Sequence, residues 1–115
     1  MADITVNFFS KSLLRTVSFE VYIPGDLRGE TPRESGEIKT LFLLHGYTES
    51  PCNRIPEYLS EKYGFAVVTP DGENSFWLDS PATGRKYGEY VGRELVEYLR
   101  RTFGLARGAD DTYIM

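Results

Sequence analysis

The chain has a single cysteine and a single histidine among its 115 residues, and it has no long apolar run. One cysteine excludes an internal disulfide and favours a reducing compartment, so we expect a cytoplasmic protein. The longest apolar stretches fall well short of the ~18–20 residues that a membrane helix needs. The start of the sequence, Met1-Ala2-Asp3, lacks the basic and apolar order of a signal peptide. Membrane association is therefore not predicted.

Positive charge is also scarce, since 13 basic residues face 17 acidic ones and the net charge is −4. No block of basic residues occurs, so a nucleic-acid partner is not predicted. One histidine and one cysteine cannot supply the usual ligand set of a metal site, and the carboxylates Asp71, Glu73 and Asp79 are better explained by turn chemistry. The sequence predicts no metal and no cofactor.

What the sequence does contain is the stretch at residues 41–47, Leu-Phe-Leu-Leu-His-Gly-Tyr, in which a continuous apolar run stops at His-Gly. A run without alternation is typical of a strand that is covered on both faces, as in a parallel sheet. In open α/β sheets, ligands bind just past the carboxyl ends of the strands. We therefore expect His45, Gly46 and Tyr47 at the rim of a site, with Gly46 allowing a sharp turn.

The rest of the chain predicts an α/β fold. Residues 4–9 and 15–24 alternate between apolar and polar side chains, which predicts an antiparallel pair of strands. The later segments alternate strand with helix, which predicts a mostly parallel sheet in a single domain. The predicted elements after the pair are strand 41–45, helix 54–63, strand 65–69, helix 86–103 and strand 112–115, with exposed loops at 26–39 and 73–85.

Four motifs, in this order and spacing, resemble a known family. They are residues 8–15, Phe-Phe-Ser-Lys-Ser-Leu-Leu-Arg; residues 43–47, Leu-Leu-His-Gly-Tyr; residues 67–76, Val-Val-Thr-Pro-Asp-Gly-Glu-Asn-Ser-Phe; and Tyr-Gly-Glu-Tyr at 87–90 with Glu-Leu-Val-Glu at 94–97. Together they look like the tributyrin-esterase branch of the esterase D family, which are α/β-hydrolases related to S-formylglutathione hydrolase. The resemblance runs from Ile4 to Met115.

This resemblance implies the N-terminal half of an α/β-hydrolase, with an antiparallel hairpin, three parallel strands and two helices. The implied parent activity is hydrolysis of short-chain carboxylic esters through a serine acyl-enzyme, with a small acyl ester as the partner molecule. In the family, the strand that begins at Thr112 leads into a Gly-x-Ser-x-Gly nucleophile elbow, and the catalytic acid and histidine follow later. We therefore expect residues 1–115 to be an incomplete domain that is inactive alone.

By the same resemblance, the backbone N–H of Tyr47 is one donor of the oxyanion hole, and Gly46 allows the turn that aims it. The sequence departs from the family here, because Glu49 stands near a usual glycine position and residues 50–53 form a shorter loop. Asn74 and Trp77 follow the second buried strand and are candidate substrate-binding residues. For Trp77, an alternative is that the ring covers an edge of the core.

The other nucleophile candidates have plainer explanations. His45 precedes any elbow serine, so we expect it to shape its loop through local hydrogen bonds rather than to act as a base. Cys52 lies between Pro51 and Asn53 and is expected to be an unreactive thiol. The serines without flanking glycines are expected to be loop or capping residues; they are Ser10, Ser50, Ser75 and Ser80.

Two other functions stay open from the sequence. The chain could be a small non-catalytic α/β module that binds a ligand or a partner chain at residues 45–47. An exposed apolar edge at residues 112–115 would favour the incomplete esterase, and a covered edge would favour the module. Within the esterase class, the substrate could instead be an acylated polysaccharide or S-formylglutathione. A homo-oligomer is compatible with the sequence.

Overall fold

The computed structural model describes residues 2–24, 38–46, 60, 63–73 and 75–115. Across these ranges the strands form one five-stranded sheet and one small two-stranded sheet. No helix within the same ranges is long and apolar enough to cross a membrane. The strands are β1 (Ala2–Ser10), β2 (Arg15–Ile23), β3 (Lys39–Phe42), β4 (Phe65–Pro70), β5 (Asp79–Ser80), β6 (Arg85–Lys86) and β7 (Thr112–Ile114).

The first two strands form the predicted antiparallel hairpin, with Ala2 opposite Ile23 and Ser10 opposite Arg15. Their side chains alternate as the sequence pattern requires, since Val17, Phe19 and Val21 are buried while the residues between them are more exposed. A period of two places these apolar side chains on one face, where they meet the core.

The sheet combines this hairpin with three parallel strands in the order β1-β2-β4-β3-β7. β3 pairs in parallel with β4 and with β7, while β2 is antiparallel to β4. It follows that β1 runs in the same direction as the three parallel strands. The β1–β2 turn (residues 11–14) therefore lies at the edge where β3, β4 and β7 end, which we call the carboxyl edge.

The predicted strand at residues 41–45 begins two residues earlier, at Lys39, and its regular part ends at Phe42. Its hydrogen bonding continues further, because the N–H of Leu43 donates to Val68 at 2.9 Å and that of Leu44 donates to Met115 at 2.8 Å. The predicted strand at residues 65–69 matches β4, which is buried along almost its whole length. β4 is thus the best covered strand of the sheet.

Helix α1 (residues 87–103) packs on the sheet. It consists of an α-helical turn at Tyr87–Glu89, a π-helical segment at Tyr90–Glu94 and a longer α-helix at Leu95–Phe103. Gly104 ends it in the left-handed conformation with φ of 66°, which glycine adopts without a steric penalty. Its fully buried side chains meet those of the sheet in one core; they include Tyr90, Leu95 and Leu99 from the helix and Val21, Phe42 and Val68 from the strands.

Two predicted segments have a different outcome. The predicted helix at residues 54–63 lies mostly outside the described residues, of which Ser60 and Tyr63 are helical and Gly64 follows with φ of 75°. The prediction of a plain loop at residues 73–85 is wrong in part, because β5 and β6 pair there as a short hairpin. Two-residue strands are too short to show any periodicity in the sequence.

The β1–β2 turn is held to α1 by a single carboxylate. Glu94 accepts a hydrogen bond from the Ser10 hydroxyl, and its other oxygen accepts the N–H of Lys11 at 2.8 Å and of Ser12 at 3.3 Å. The Ser10 oxygen in turn accepts the N–H of Leu13 at 3.2 Å. Each of these donors would otherwise lack a partner in the tight turn, so the carboxylate stabilises its conformation.

We expect Glu94→Gln to lower the free energy of unfolding by about 1–3 kcal/mol, because an amide replaces a charged acceptor and turns an N–H group toward two backbone donors. Urea titration followed by circular dichroism measures the change. Glu97→Gln is the matched control on the next turn of α1, where the side chain is exposed, and it should change stability by less than about 0.5 kcal/mol. Equal effects of the two substitutions would contradict this role of Glu94.

Tyr90 generates a second prediction. Its ring is fully buried, and its hydroxyl has no hydrogen-bond partner within the described part of the chain. Burial first, and then the charge of Glu94, raise the pKa of the Tyr90 phenol above its ordinary value of 10.0. A raised pKa means that the folded state holds this proton longer than the unfolded state, so the chain loses stability as the pH rises above about 10.

Tyr90→Phe should therefore be neutral or slightly stabilising at pH 7 and should flatten the loss of stability between about pH 10 and 12. Urea midpoints measured over that pH range test this. Tyr113→Phe, at a tyrosine that is 43% exposed, is the matched control. A Tyr90→Phe chain that loses stability with pH as steeply as the parent would show that this phenol is not the group responsible.

Candidate active site

His45 sits at the end of β3 with only 1% of its side chain exposed. Its Nε2 accepts the backbone N–H of Gly72 at 2.9 Å, and its Nδ1 lies 2.9 Å from the carbonyl oxygen of Gly46. Because a carbonyl can only accept, Nδ1 must carry the proton, and because Gly72 donates, Nε2 must be free of one. These two bonds define the neutral Nδ1–H tautomer of the ring.

This geometry leaves His45 unsuited to act as a base. A carboxylate oxygen of Asp71 lies 3.3 Å from Nε2, but an Nε2 that already accepts from Gly72 carries no charge to pair with it. The same Asp71 oxygen accepts the N–H of Glu73 at 2.9 Å, which is turn chemistry. His45 thus joins the ends of two neighbouring strands through local hydrogen bonds, as the sequence predicts.

The ring of Trp77 packs against His45, which joins the ends of the two strands. Its indole N–H donates to the carbonyl oxygen of His45 at 3.2 Å, and the two rings meet edge to face with centroids 5.2 Å apart. A Cβ added at Gly72 would lie 2.6 Å from the indole, so glycine is required there for close packing. The structure places the ring against His45 and Gly72, and its contribution to a substrate pocket stays a prediction.

The loop between β4 and β5 is held by side-chain and backbone bonds. The Ser75 hydroxyl donates to the carbonyl of Gly72 at 2.6 Å and accepts the N–H of Trp77 at 3.1 Å. Glu73, Phe76 and Trp77 have φ of 50°, 55° and 58°, a left-handed conformation that is rare for residues with side chains. Such strain occurs often at functional sites, where the surrounding structure compels it.

Glu73 is at the centre of a charged cluster on the same edge. Its carboxylate accepts the hydroxyl of Tyr87 at 2.7 Å, pairs with Arg15 at 3.2 Å and lies 3.7 Å from Arg85. Arg15 also donates to the Tyr87 oxygen at 3.1 Å. Burial raises the pKa of the Tyr87 phenol, and its bond to Glu73 acts in the same direction, so the phenol stays protonated as a donor.

This cluster borders a cavity of about 700 Å³ at the carboxyl edge, between the β4–β5 loop and the β5–β6 hairpin. The volume is within the range of small-molecule sites, roughly 300–1,000 Å³. Its walls combine charged and hydroxyl groups with two apolar side chains, Leu78 and Pro81. Sequence reasoning assigned Glu73 only to turn chemistry and did not anticipate the cluster, since its partners come from distant parts of the chain.

Of the predicted site residues, Gly46 and Trp77 lie within the described part of the chain. Gly46 is exposed at the end of β3, directly after His45. Tyr47 and Asn74 lie outside the described residues, as does Cys52, so the predictions for these three stand as they were made. Among the described residues, no three histidine, cysteine, aspartate or glutamate side chains come together as metal ligands could.

Comparison with known proteins gives a consistent result, although no protein-family model matches the chain. An acetyl esterase of Caldicellulosiruptor saccharolyticus is 36% identical over 122 aligned positions, covering 99% of this chain. The solved structure of the Staphylococcus aureus fluorophosphonate-binding serine hydrolase FphF superposes with a TM-score of 0.80 at 25% identity, covering 98% of this chain. That of the S-formylglutathione hydrolase FrmB from the same organism gives 0.75 at 26% identity and equal coverage.

Gly72→Ala should force the indole of Trp77 away from His45, because the new methyl group would overlap the ring. Trp77 is the only tryptophan, so its fluorescence emission should shift to longer wavelength as the ring becomes hydrated, with a loss of about 1–3 kcal/mol of stability. Gly92→Ala is the matched control, since an added Cβ there has nothing within 4 Å. An unshifted emission in Gly72→Ala would contradict the packing described here.

The chain spans 46% of the length of the acetyl esterase and 46% of each of the two hydrolases. The sequence identity to the acetyl esterase and the structural likeness to the two hydrolases agree with one another. The chain has the fold of these α/β-hydrolases, it is similar to esterases and an S-formylglutathione hydrolase, and it spans about half the length of each of these relatives.

Proposed function

We propose that this chain supplies the oxyanion-binding part of a serine esterase that acts on short-chain acyl esters. The observation that carries the proposal is the pairing of β3 with β7 at the carboxyl edge. Phe42 lies opposite Ile114, and the N–H of Leu44 donates to the carbonyl of Met115 at 2.8 Å. A residue that follows Met115 in a longer polypeptide would therefore lie beside His45 and Gly46.

The chemistry of ester hydrolysis explains why this position matters. Attack of a serine on an ester carbonyl creates a tetrahedral oxyanion, and each preorganised N–H donor aimed at it is worth about 3–4 kcal/mol. We assign one donor to the backbone N–H of Tyr47, next to the exposed Gly46. The bonds from Gly72 and from Trp77 fix His45, two residues before Tyr47, which supports a preorganised donor.

The substrate is proposed as a small acyl ester, with Asn74 and Trp77 beside it. Similarity to an acetyl esterase supports a short acyl group. An acylated polysaccharide and S-formylglutathione are the alternatives. The second is supported by the structural likeness to an S-formylglutathione hydrolase. We further propose that the enzyme is cytoplasmic, because the single cysteine suits a reducing compartment.

A non-catalytic binding module is the second candidate function. The apolar side chains of β7 and of the residue after it argue against this function, since Tyr113, Ile114 and Met115 are 43%, 67% and 75% exposed. Within the described strands, β7 is at an edge of the sheet with no further strand beside it. An apolar, unpaired edge is avoided in complete small domains because it invites association, so the observation favours the incomplete esterase.

The 115-residue chain should not hydrolyse 4-nitrophenyl acetate faster than buffer does. Both ring nitrogens of its one histidine are hydrogen-bonded to the backbone of Gly46 and Gly72, and no serine of the described part of the chain is bonded to that ring. Absorbance of released 4-nitrophenolate measures this. Turnover that is lost on His45→Ala or Cys52→Ala would overturn the proposal, because the chain would then contain its own catalytic group.

A polypeptide extended beyond Met115 through a Gly-x-Ser-x-Gly segment and the rest of an esterase domain provides the positive test. We expect it to hydrolyse the same ester, and Trp77→Phe should lower kcat about tenfold or more with little change in KM, since a misplaced donor acts on the transition state. Tyr98→Phe, at a ring that packs against Phe8 and Phe19 of the hairpin, is the matched control. Full activity in Trp77→Phe would contradict the positioning of the oxyanion donor by Trp77.

A further inference from the structure

A second cavity of about 640 Å³ lies between the β1–β2 turn and helix α1, and we call it the turn–helix groove. Lys11 and Leu14 line it from the turn, and Arg93 and Arg101 line it from the helix. It is separate from the cavity beside Glu73, because none of the residues that line one lines the other. Its volume suits a small molecule, for which roughly 300–1,000 Å³ is usual.

Four cations line the groove, and their charge is only partly neutralised. Arg93 pairs with Glu89 four residues earlier on the helix. Within the described residues, the other three have no carboxylate within 4.0 Å, and this holds in a chain whose overall charge is −4. These three unpaired cations are Lys11, Lys86 and Arg101.

The carboxylates that line the groove are mostly engaged with other groups. Glu94 binds the backbone of the β1–β2 turn, and Glu89 is paired with Arg93. Hydrogen bonds from neutral N–H groups leave the charge of Glu94 in place, so four cations and three carboxylates give the walls a net charge of +1. The groove is therefore locally positive on an acidic protein, and concave sites concentrate such a potential.

The other walls of the groove are apolar and aromatic. Phe8 and Tyr98 stack with centroids 4.4 Å apart, and the guanidinium of Arg101 lies 5.8 Å from the centroid of the Tyr98 ring. Phe9 and Leu14 are 60% and 75% exposed at the rim, and Leu14 has φ of 53°. Apolar side chains exposed next to unpaired cations are typical of surfaces that meet a ligand of mixed character.

We propose that the turn–helix groove binds a small organic carboxylate that carries an aromatic group. The carboxylate pairs with Arg101 and the two lysines, since a guanidinium and a carboxylate match in geometry. The aromatic group packs against Phe9, Leu14 and the Tyr98 ring. This site does not depend on the esterase proposal, because it uses neither residues 45–47 nor the cavity beside Glu73.

The test uses 2-naphthoate as the probe, with 2-naphthamide as its uncharged isostere and inorganic phosphate as an anion without an apolar part. Titration calorimetry and amide chemical shifts of the 115-residue chain should show naphthoate binding that perturbs residues 9–14 and 93–101 and weakens as salt is added. Naphthamide and phosphate should bind at least tenfold more weakly. If naphthamide or phosphate binds as tightly as naphthoate, the proposal is overturned, because the charge and the apolar ring of the ligand would then not both be needed.

Variants then locate the site. Lys11→Gln, Lys86→Gln and Arg101→Gln should each weaken naphthoate binding about threefold to tenfold, as expected for removing one nearby charge. Leu14→Asn should weaken it similarly, and asparagine tolerates the left-handed conformation of that residue, so the turn is preserved. Lys39→Gln, at an exposed lysine on β3, is the matched control. Unchanged affinity in all four groove variants, or an equal loss in Lys39→Gln, would sink the assignment.

Discussion

The hydrogen bond from the Gly72 N–H to Nε2 of His45 is the contact on which the arrangement of the carboxyl edge depends. It joins the end of β4 to the end of β3, and it fixes the imidazole in one tautomer. The protonated nitrogen then binds Gly46, and the carbonyl of His45 is left to accept from Trp77. A buried imidazole thus performs a structural task just beyond the end of β3, and the chain's one histidine is committed to it.

Two carboxylates extend this organisation to the rest of the chain. Glu73 connects the β4–β5 loop to Arg15 on β2 and to Tyr87 at the start of α1. Glu94, at the end of the π-helical segment of α1, connects that helix to the β1–β2 turn. The hairpin is thereby attached to both the loop and the helix, so its position relative to the site is set by charge-assisted hydrogen bonds as well as by strand pairing.

Sequence reasoning succeeded where local pattern decides the structure. Strict alternation identified β1 and β2, the apolar run identified the parallel strand after residue 38, and helical periodicity with Gly104 identified most of α1. It missed contacts that join distant positions, because Ser10 and Glu94 are 84 residues apart and neither pattern refers to the other. The sequence also contained no signal for the packing at Gly72, where the nearby indole of Trp77 excludes a side chain. The π-helical segment at Tyr90–Glu94 has no sequence signature that single residues could show.

The left-handed residues of the carboxyl edge have a consequence for how this chain can vary. Leu14, Glu73, Phe76 and Trp77 hold φ between 50° and 58°, a conformation that costs an L-residue about 1–2 kcal/mol. Glycine or asparagine would relieve that cost but would remove the side chains of Leu14 and Glu73, which line the two cavities, or of Trp77, which contacts His45. A substitution that makes the backbone more stable at one of these three positions therefore also changes the shape of a cavity or uncovers His45.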